Sequence, residues 1–510
     1  MKSTLRILLV LLGLAVVNQA QVTPITRFQH IIVVVQENRT PDNLFYALCA
    51  GNPCSTTIVD STHYNIQTGQ WKDGSSSTGL YPPVAALINN GYDLNHSHTG
   101  WLEECDPPHA GLTFSCNPPT NLPPPSCMMD GASCTSLNHG TYIFVDNSTG
   151  TITPYLILAT SYGWANYMFQ TNQGPSFPAH QFLFGGTSAL SATGDAGGTF
   201  VSENFVVGTS NPPVTWAGCY AQDGEKTSLV GSNSKETTYT IDHATGTIVC
   251  IPPQAQGGRS TMADLLDGAG LSWTYYSSAG GGTDMGGSIW TAPNALSAIC
   301  VPNSTFDTCT GTEWKNHVVI NPSQVLTDMG ANNGKCNLSN VSWVIPTSAN
   351  SDHPGGSTGG PDWVANIINT LGQSACKNAD GTTYWDSTAV VVTWDDFGGF
   401  YDHEQPTIEM SPEGGYQLGF RVPMIFVSAY TQKKYINNSR HDFGSVLRFI
   451  EHNFAITEGA LGFADSRATT DLTEFYNLKN TPRTFVPIPT TTGALDYIND
   501  KTPNGVVDDD

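Results

Sequence analysis

Four short apolar segments constrain the fold more than any other feature of this sequence. Each is apolar at nearly every position, whereas a strand with one wetted face alternates apolar and polar residues. The segments are Ile31–Val35, Val341–Ile345, Ala389–Val392 and Val422–Val427. Apolar residues at helical spacing fill two stretches between and after them, 361–371 and 446–454. This alternation predicts an α/β fold, a three-layer sandwich in which helices cover a mostly parallel central sheet.

Composition limits the class of protein further. With 510 residues, of which 39% are hydrophobic, the chain can bury one large core or two moderate ones. Its 51 glycines and 32 prolines predict many loops, and we expect the segments 50–150 and 190–260 to be loop insertions or a cap over the carboxyl edge of the sheet. The net charge of −23 disfavours nucleic acid and anionic membranes as partners, because both would be repelled.

The first 20 residues have the layout of a secretory signal peptide. Lys2 and Arg6 precede an apolar run from Ile7 to Val17, and Ala20 precedes the predicted cleavage point. The run is too short to cross a bilayer, although an uncleaved anchor is the alternative. No later stretch is long and apolar enough to predict a membrane span. We therefore expect a periplasmic or secreted protein.

The cysteine content agrees with export. Twelve cysteines, an even number, predict disulfides in an oxidising compartment, and the pairs closest in sequence are the simplest assignment: Cys49–Cys54 and Cys300–Cys309. No CxxC pair is present, which argues against a thiolate metal site.

Polar residues follow the apolar segments where strands should end. Glu37 and Asn38 come just after the first segment, and Asp395 and Asp396 come after the third. Ligands of open α/β sheets bind beyond the carboxyl ends of the strands, and such oxygen ligands suit a divalent cation. Taken singly, Glu37 could cap a helix and the aspartates could form an ordinary turn. Together they predict a metal site, because unpaired buried carboxylates are costly.

Ser176 is the candidate nucleophile. It lies in the string NQGPSFPAH at the predicted start of a helix, whose positive end favours an alkoxide or a phosphoryl oxygen. The alternative is that Ser176 only caps the helix. Since Ser176 does not lie in a GxSxG elbow, a Ser-His-Asp triad around it has little support, and contact with a metal is another way to activate a serine.

Six blocks occur in an order that resembles the bacterial phosphoesterase family. That family contains phospholipases C and metal-dependent acid phosphatases, and its core is similar to the alkaline phosphatase fold. The blocks are HIIVVVQENRTPDNLF at 30–45, GPSFPAHQFLFGGTS at 174–188, ADLLDGAGLSWTYY at 263–276, DHPGGS at 352–357, VVVTWDDFGGFYDH at 390–403 and FGSVLRFIEHNF at 443–454. The resemblance covers nearly all of the chain after the signal peptide, and it is weakest in the segments 50–150 and 190–260.

The resemblance implies roles for individual residues. It implies a metal bound by Glu37, Asn38, Asp395, Asp396 and Ser176, with Ser176 as the nucleophile. Two further histidines are implied to bind phosphate oxygens or protonate the leaving group: His353, and either His96 or His98, of which His96 is favoured because it directly precedes a serine, as in the family's His-Ser pattern. The histidines implied to support or line the site are His98, His180 and His403. The metal could be calcium, magnesium, manganese or iron, and histidine ligation would favour zinc or iron.

By this resemblance, residues 21–480 form a catalytic domain and residues 481–510 a C-terminal extension. The implied function is an exported, metal-dependent phosphoric ester hydrolase that acts through a phosphoserine. The Asp395-Asp396 pair, where many phospholipases show Asp-Glu, and a serine nucleophile resemble the acid phosphatases. The alternative is a phospholipase C, so the substrate is a small phosphate ester or a phospholipid. A non-catalytic exported binding protein on the same fold is the alternative from a different class.

Overall fold

The computed structural model describes residues 25–502 except for several segments within that range. The segments outside the description are 73–79, 90–93, 99, 102–104, 107–127, 130–141, 197–198, 206–217, 232–235, 247–249, 279–288, 307, 356, 407, 410–415 and 458. The predicted signal peptide lies outside the described residues.

An eight-stranded central sheet organises the molecule. Its strands, labelled in chain order, are β1 His30–Gln36, β2 Gly163–Met168, β3 Trp273–Tyr276, β4 Val318–Val319, β5 Val341–Val344, β6 Thr388–Trp394, β7 Met424–Ser428 and β8 Tyr435–His441. Their order across the sheet is β4-β3-β5-β1-β6-β7-β2-β8. Strand β7 is antiparallel to both neighbours, and every other pairing in the sheet is parallel. The earliest strand, β1, therefore lies near the centre of the sheet.

Helices cover both faces of this sheet. The four longest are α1 Thr153–Ser161, α2 Ser176–Gly185, α3 Gly360–Gln373 and α4 Phe443–Phe454. Along one face a row of neighbouring residues runs from Trp343 through Val33 and Val391 to Phe426. The Trp343 end contacts Phe184 of α2, and the Phe426 end contacts Phe449 of α4, so both helices lie on this face.

The opposite face carries α1 and α3. Trp394 points to the other side of β6 from Val391, because side chains alternate along a strand. Its ring lies 5.2 Å from that of Tyr155 in α1, and α1 packs against α3. The three layers predicted from the sequence are thus confirmed.

Shorter elements surround the sandwich. Residues Phe200–Phe205, Lys226–Val230 and Glu236–Thr240 form a separate antiparallel sheet within one of the predicted insertions. Short strand pairs are Trp71–Lys72 with Leu80–Tyr81, Val84–Ala86 with Ile143–Val145, Cys105–Asp106 with Met128–Met129, and Ile408–Glu409 with Tyr416–Gln417. Within the described residues, the other α-helices whose bounds are defined are Pro41–Leu44, Ala192–Ala196, Met262–Gly268, Thr312–His317, Gln324–Asp328, Tyr384–Ser387, Phe463–Arg467 and Ala494–Asn499.

Four disulfides join the cysteines whose side chains the structure describes. They are Cys49–Cys54, Cys219–Cys250, Cys300–Cys309 and Cys336–Cys376. The two pairings predicted from sequence proximity are confirmed. The side chains of the other four cysteines, at 105, 116, 127 and 134, lie outside the described residues.

The strand predictions hold with one correction. Three of the apolar segments form β1, β5 and β6, and the two helical patterns form α3 and α4. For the fourth segment, Val422–Val427, the prediction of a parallel strand is wrong. Its strand begins at Met424 and runs antiparallel to β6. Apolar content predicts burial but carries no information on strand direction. No described helix has the length and apolar character needed to cross a bilayer.

Candidate active site

The carboxyl ends of β1 and β6 meet the start of α2. Glu37 and Asn38 follow β1 directly, Asp395 and Asp396 follow β6, and Ser176 is the first residue of α2. All five residues are buried. The structure therefore brings together the complete set that the resemblance assigned to the metal.

Ser176 points at this carboxylate group. Its Oγ lies 3.3 Å from Oε2 of Glu37 and 3.3 Å from Oδ2 of Asp396, close enough to donate to either. The alternative that Ser176 caps α2 is wrong, because Pro175 occupies the N-cap position and no side chain caps the helix there. The hydroxyl is instead directed into the site.

The two ligand-bearing turns are fixed by backbone hydrogen bonds. Oδ1 of Asp395 accepts the N–H groups of Asn38 at 3.0 Å and of Asp396 at 2.7 Å. The N–H of Gly398 donates to Oδ1 of Asp396 at 2.7 Å. Gly398 has φ +62°, and a Cβ there would lie 2.3 Å from the carbonyl oxygen of Asn38. Only glycine allows the turns to approach so closely.

Three carboxyl groups in one buried site perturb each other's ionisation. Burial, followed by the charges of Asp395 and Asp396, raises the pKa of Glu37 well above its usual value. Burial and the charge of Asp395 likewise raise the pKa of Asp396. Burial also acts to raise the pKa of Asp395, but hydrogen bonds and nearby His180 outweigh it and lower that pKa. The three carboxyl groups therefore repel one another, and a bound cation would offset that repulsion.

The residues present fit a divalent cation. Oδ1 of Asn38 and Oδ2 of Asp395 are buried and accept no hydrogen bond from the part of the chain that the structure describes. One ligand atom each from Glu37, Asp395 and His180 lie within 4.8 Å of one another. Oxygen atoms without donors, next to two further carboxylates, form a donor set typical of calcium, magnesium or manganese sites.

His180 lies one helical turn after Ser176 and faces the same group. Its Nε2 is 3.2 Å from Oε1 of Glu37 and 3.7 Å from Oδ2 of Asp395. The hydroxyl of Tyr275 lies 3.4 Å from Nδ1. Burial lowers the pKa of His180 to about 4, so the ring is neutral near pH 7. The sequence placed His180 only as a supporting residue, and its position four residues after Ser176 was the available signal.

His96 orients the amide of Asn38. Nδ1 of His96 lies 2.8 Å from the carbonyl oxygen of Leu94, so this nitrogen carries the proton and donates. Nε2 then accepts from Nδ2 of Asn38 at 2.8 Å. Because the amide nitrogen faces His96, Oδ1 is the Asn38 atom left to face a cation.

The other predicted histidines lie at different distances from this group. The rings of His353 and His96 are 6.0 Å apart, and Nδ1 of His353 is 2.9 Å from the carbonyl oxygen of Pro354. His98 instead contacts the carbonyl oxygen of Gln173, 2.6 Å from its Nδ1, in the loop before Ser176. Of the two histidines in the Asn95–His98 string, His96 is the one that the structure places against Asn38.

The sequence predicted no role for Arg39, whose buried guanidinium holds several segments together by hydrogen bonds. Its guanidinium donates to the carbonyl oxygen of Asp352 at 2.9 and 2.7 Å and to that of Ile88 at 2.9 Å. It also lies over the ring of Phe400, 4.8 Å from the centroid. Arg39 thereby ties the β1 turn to three other segments, and the signal was a basic residue directly after the two predicted ligands.

His403 belongs to a separate buried cluster. Its Nδ1 lies 2.7 Å from Oδ2 of Asp42, and its Nε2 lies 3.0 Å from the side-chain oxygen of Asn65. Arg421 and Asp402 complete the cluster. Burial alone would lower the pKa of His403, but the charge and hydrogen bond of Asp42 raise it to about 9.

This cluster predicts a pH-dependent stability. A pKa raised from about 6.5 to about 9 stabilises the fold below pH 6.5, and this contribution of about 3 kcal/mol is lost as the pH rises through 9. We expect the free energy of unfolding to fall between pH 6.5 and 9.5, and His403→Gln to remove most of that slope. Urea titrations of both proteins at several pH values test this. Parallel slopes in the two proteins would contradict the assignment.

The fold and the site together define an α/β protein in which a buried serine lies beside a group of side chains that suit a divalent cation. A model of the Phosphoesterase family matches residues 28–457. The chain belongs to this family, and the resemblance stated from its six sequence blocks is confirmed.

Relatives of known name are similar over part of their length. A non-hemolytic phospholipase C of Burkholderia pseudomallei is 28% identical over 255 residues, which cover 42% of this chain and 34% of the relative. Phospholipase C A of Mycobacterium tuberculosis is 25% identical over 257 residues, 46% of each protein. A non-specific phospholipase C6 of Arabidopsis thaliana is 29% identical over 161 residues, 28% of this chain and 29% of the relative. The chain thus spans less than half of the length of each.

Solved structures show only a distant likeness. A protein of the alkaline phosphatase superfamily from Vibrio parahaemolyticus has a TM-score of 0.32 and 11% identity, covering 63% of this chain and 64% of that one. A phosphonate monoester hydrolase from Silicibacter pomeroyi has a TM-score of 0.31 and 9% identity, covering 66% and 73%.

Proposed function

We propose that this protein hydrolyses phosphoric esters and that Ser176 is the nucleophile. The observation that carries the proposal is the position of the Ser176 hydroxyl, at the start of a buried helix and 3.3 Å from carboxylate oxygens of both Glu37 and Asp396. Membership of the Phosphoesterase family supports it. A divalent cation held by Glu37, Asn38, Asp395 and Asp396 would neutralise phosphoryl oxygens and lower the pKa of the serine hydroxyl.

The residues of the chain itself account for the proton transfers. Ser176 Oγ loses its proton towards a neighbouring carboxylate oxygen and attacks phosphorus. A phosphoserine bond forms as the bond to the leaving alcohol breaks, and the alcohol oxygen takes a proton from His353. Water then attacks the phosphoserine and gives one proton to His353, the bond between phosphorus and Ser176 Oγ breaks, and Oγ recovers its proton from the carboxylate. The amino end of α2 favours the negative charge that gathers on the phosphoryl oxygens.

For the substrate, a phosphodiester of the phospholipase C type is the first candidate. The relatives described above are all named phospholipase C. A phosphomonoester is the second candidate, favoured by the Asp395-Asp396 pair and the serine nucleophile that resemble the acid phosphatases. The four disulfides agree with an oxidising compartment, and we propose that the protein works in the periplasm or outside the cell.

A pair of chromogenic esters separates the two candidates. We expect kcat/KM on p-nitrophenyl phosphorylcholine to exceed that on p-nitrophenyl phosphate by at least about tenfold, which is a 1.4 kcal/mol preference. The reverse ratio would favour the monoester reaction. Turnover of neither compound, in protein shown to contain metal, would favour a binding protein on the same fold.

A further inference from the structure

Arg421 is a fully buried arginine at the edge of the sheet that carries the site. All of its side-chain nitrogens donate hydrogen bonds. Its Nε and Nη2 donate to the two carboxylate oxygens of Asp402, each at 2.9 Å. Nη2 also reaches Oδ1 of Asp42 at 3.4 Å, and Nη1 donates to the carbonyl oxygens of Asn65 at 2.9 Å and Asn166 at 2.7 Å. The guanidinium therefore joins four separate parts of the chain.

Two of those parts are continuous with the ligand group. Asp42 lies in the short helix Pro41–Leu44, which directly follows the first ligand loop, residues 37–40, and Asp402 ends the second ligand loop, residues 395–402. Between the ligands and Arg421 the loops are linked to each other along their length. The links are Asn38 N to Asp395 Oδ1 at 3.0 Å, Arg39 N to Asp396 O at 3.0 Å, Thr40 Oγ1 to Tyr401 O at 2.7 Å, and His403 N to Asp42 Oδ2 at 2.8 Å.

The antiparallel direction of β7 explains why the guanidinium of Arg421 lies at this edge of the sheet. Arg421 lies three residues before β7, and β7 is antiparallel to β6. The start of β7 therefore lies beside the end of β6, where the second ligand loop begins. Arg421 is also paired with Phe169, which follows the end of β2.

The charges make this link strong. Asp42 and Asp402 are both buried, and two buried like charges repel unless a cation holds them. Arginine presents a rigid fork that matches one carboxylate with two bonds and leaves donors for a second. Arg421 therefore holds the far ends of the two ligand loops together, beside the hydrogen bonds of Thr40 and His403.

We propose that Arg421 is a positioning residue for the metal site. By joining Asp42 to Asp402, it fixes how far apart the two ligand loops lie and hence where their ligand oxygens stand. The inference rests on the metal site of the proposed function, but it concerns metal affinity and not the identity of the ester. Groups that orient ligands through hydrogen bonds typically contribute 10- to 100-fold in metal affinity.

The test measures Mn²⁺ binding to metal-stripped protein by calorimetry. Arg421→Gln combined with Asp402→Asn removes the charge pair without leaving an unpaired buried charge. We expect this double variant to bind Mn²⁺ about 10- to 100-fold more weakly than the unchanged protein, with the same circular dichroism spectrum. Turnover of p-nitrophenyl phosphorylcholine should recover at saturating Mn²⁺, which a general loss of stability would not produce.

Arg483→Gln is the matched control. Arg483 donates to two backbone carbonyls, of Ser161 at 2.8 Å and Thr431 at 3.0 Å, and neither belongs to a ligand loop. We expect this variant to lose stability and to keep its Mn²⁺ affinity within twofold.

A folded double variant with unchanged Mn²⁺ affinity would overturn the proposal. If the double variant does not fold, Asp402→Asn alone decides, since Arg421 then keeps Asp42 and two carbonyls; weaker Mn²⁺ binding supports the proposal and unchanged binding overturns it. An unchanged protein that binds Mn²⁺ but cleaves no ester would refute the proposed function and leave this test intact. An unchanged protein that binds no divalent cation would refute both.

Discussion

Replacing Ser176 by alanine is expected to lower kcat by at least about 10⁴-fold while the fold and metal content stay unchanged. The expectation follows from covalent catalysis, in which loss of the nucleophile removes the bond-forming step and leaves only residual electrostatic stabilisation. Rapid-quench detection of a phosphoserine in the unchanged protein, absent from Ser176→Ala, would support the same role.

Ser342→Ala is a suitable control for that substitution. Ser342 is also fully buried, but it is the second residue of β5 and lies towards the amino end of the strand, not at the carboxyl ends that carry the site. Its replacement should leave kcat within about twofold. If Ser176→Ala keeps a comparable rate, the carboxylate group acts on a bound water and the phosphoserine mechanism is refuted.

Replacing Asp396 by asparagine is expected to change stability and metal binding in opposite directions. The substitution keeps an oxygen to accept the N–H group of Gly398, but it removes one negative charge from a buried group whose pKa is raised by burial and by the charge of Asp395. We expect the free energy of unfolding of the metal-stripped variant to exceed that of the metal-stripped unchanged protein by about 1 kcal/mol or more. Its metal affinity should fall by more than about 100-fold, since a ligand and not only its support is lost.

Thermal unfolding with and without Mn²⁺ measures both effects. Asp442→Asn is the matched control, because Asp442 is a buried aspartate that caps α4 through the N–H of Ser445, 3.1 Å away. We expect this control to keep the helix cap, because asparagine caps a helix about as well as aspartate, and to leave metal binding unchanged. A metal-stripped Asp396→Asn protein that melts at a lower temperature than the metal-stripped unchanged protein would show that the carboxylates are not in electrostatic conflict.

Much of the site could be predicted because its residues follow the strands that the sequence marks most clearly. β1 and β6 are continuous apolar runs, so their ends, and with them Glu37, Asn38, Asp395 and Asp396, could be located from local pattern. Membership of the family and the sandwich architecture were predicted on the same basis and are confirmed. The roles of the individual residues remain predictions until the substitutions above are made.

Other parts carried no comparable local signal. The strand β2 reads GWANYM and the edge strand β8 reads YINNSRH, and neither has the apolar run or the clean alternation that predicts a strand. The Arg421 cluster depends on residues at 42, 402 and 421, which no local pattern relates to one another. An arginine placed just before an apolar segment was the one available hint, and its partners could be identified only from the fold.

The central position of β1 has a consequence for how this protein is made. Ile31 pairs with Val341 on one side and with Ala389 on the other. The strand β1 is therefore synthesised long before either of its partner strands. Long-range parallel pairing of this kind is slow, and an unpaired apolar strand is prone to aggregate while it waits. The predicted ligands that follow β1 and β6 also meet only when β6 has paired with β1. Acquisition of the metal should therefore be a late event in folding, and recombinant yield should depend more on how the nascent chain is protected than on the stability of the finished fold.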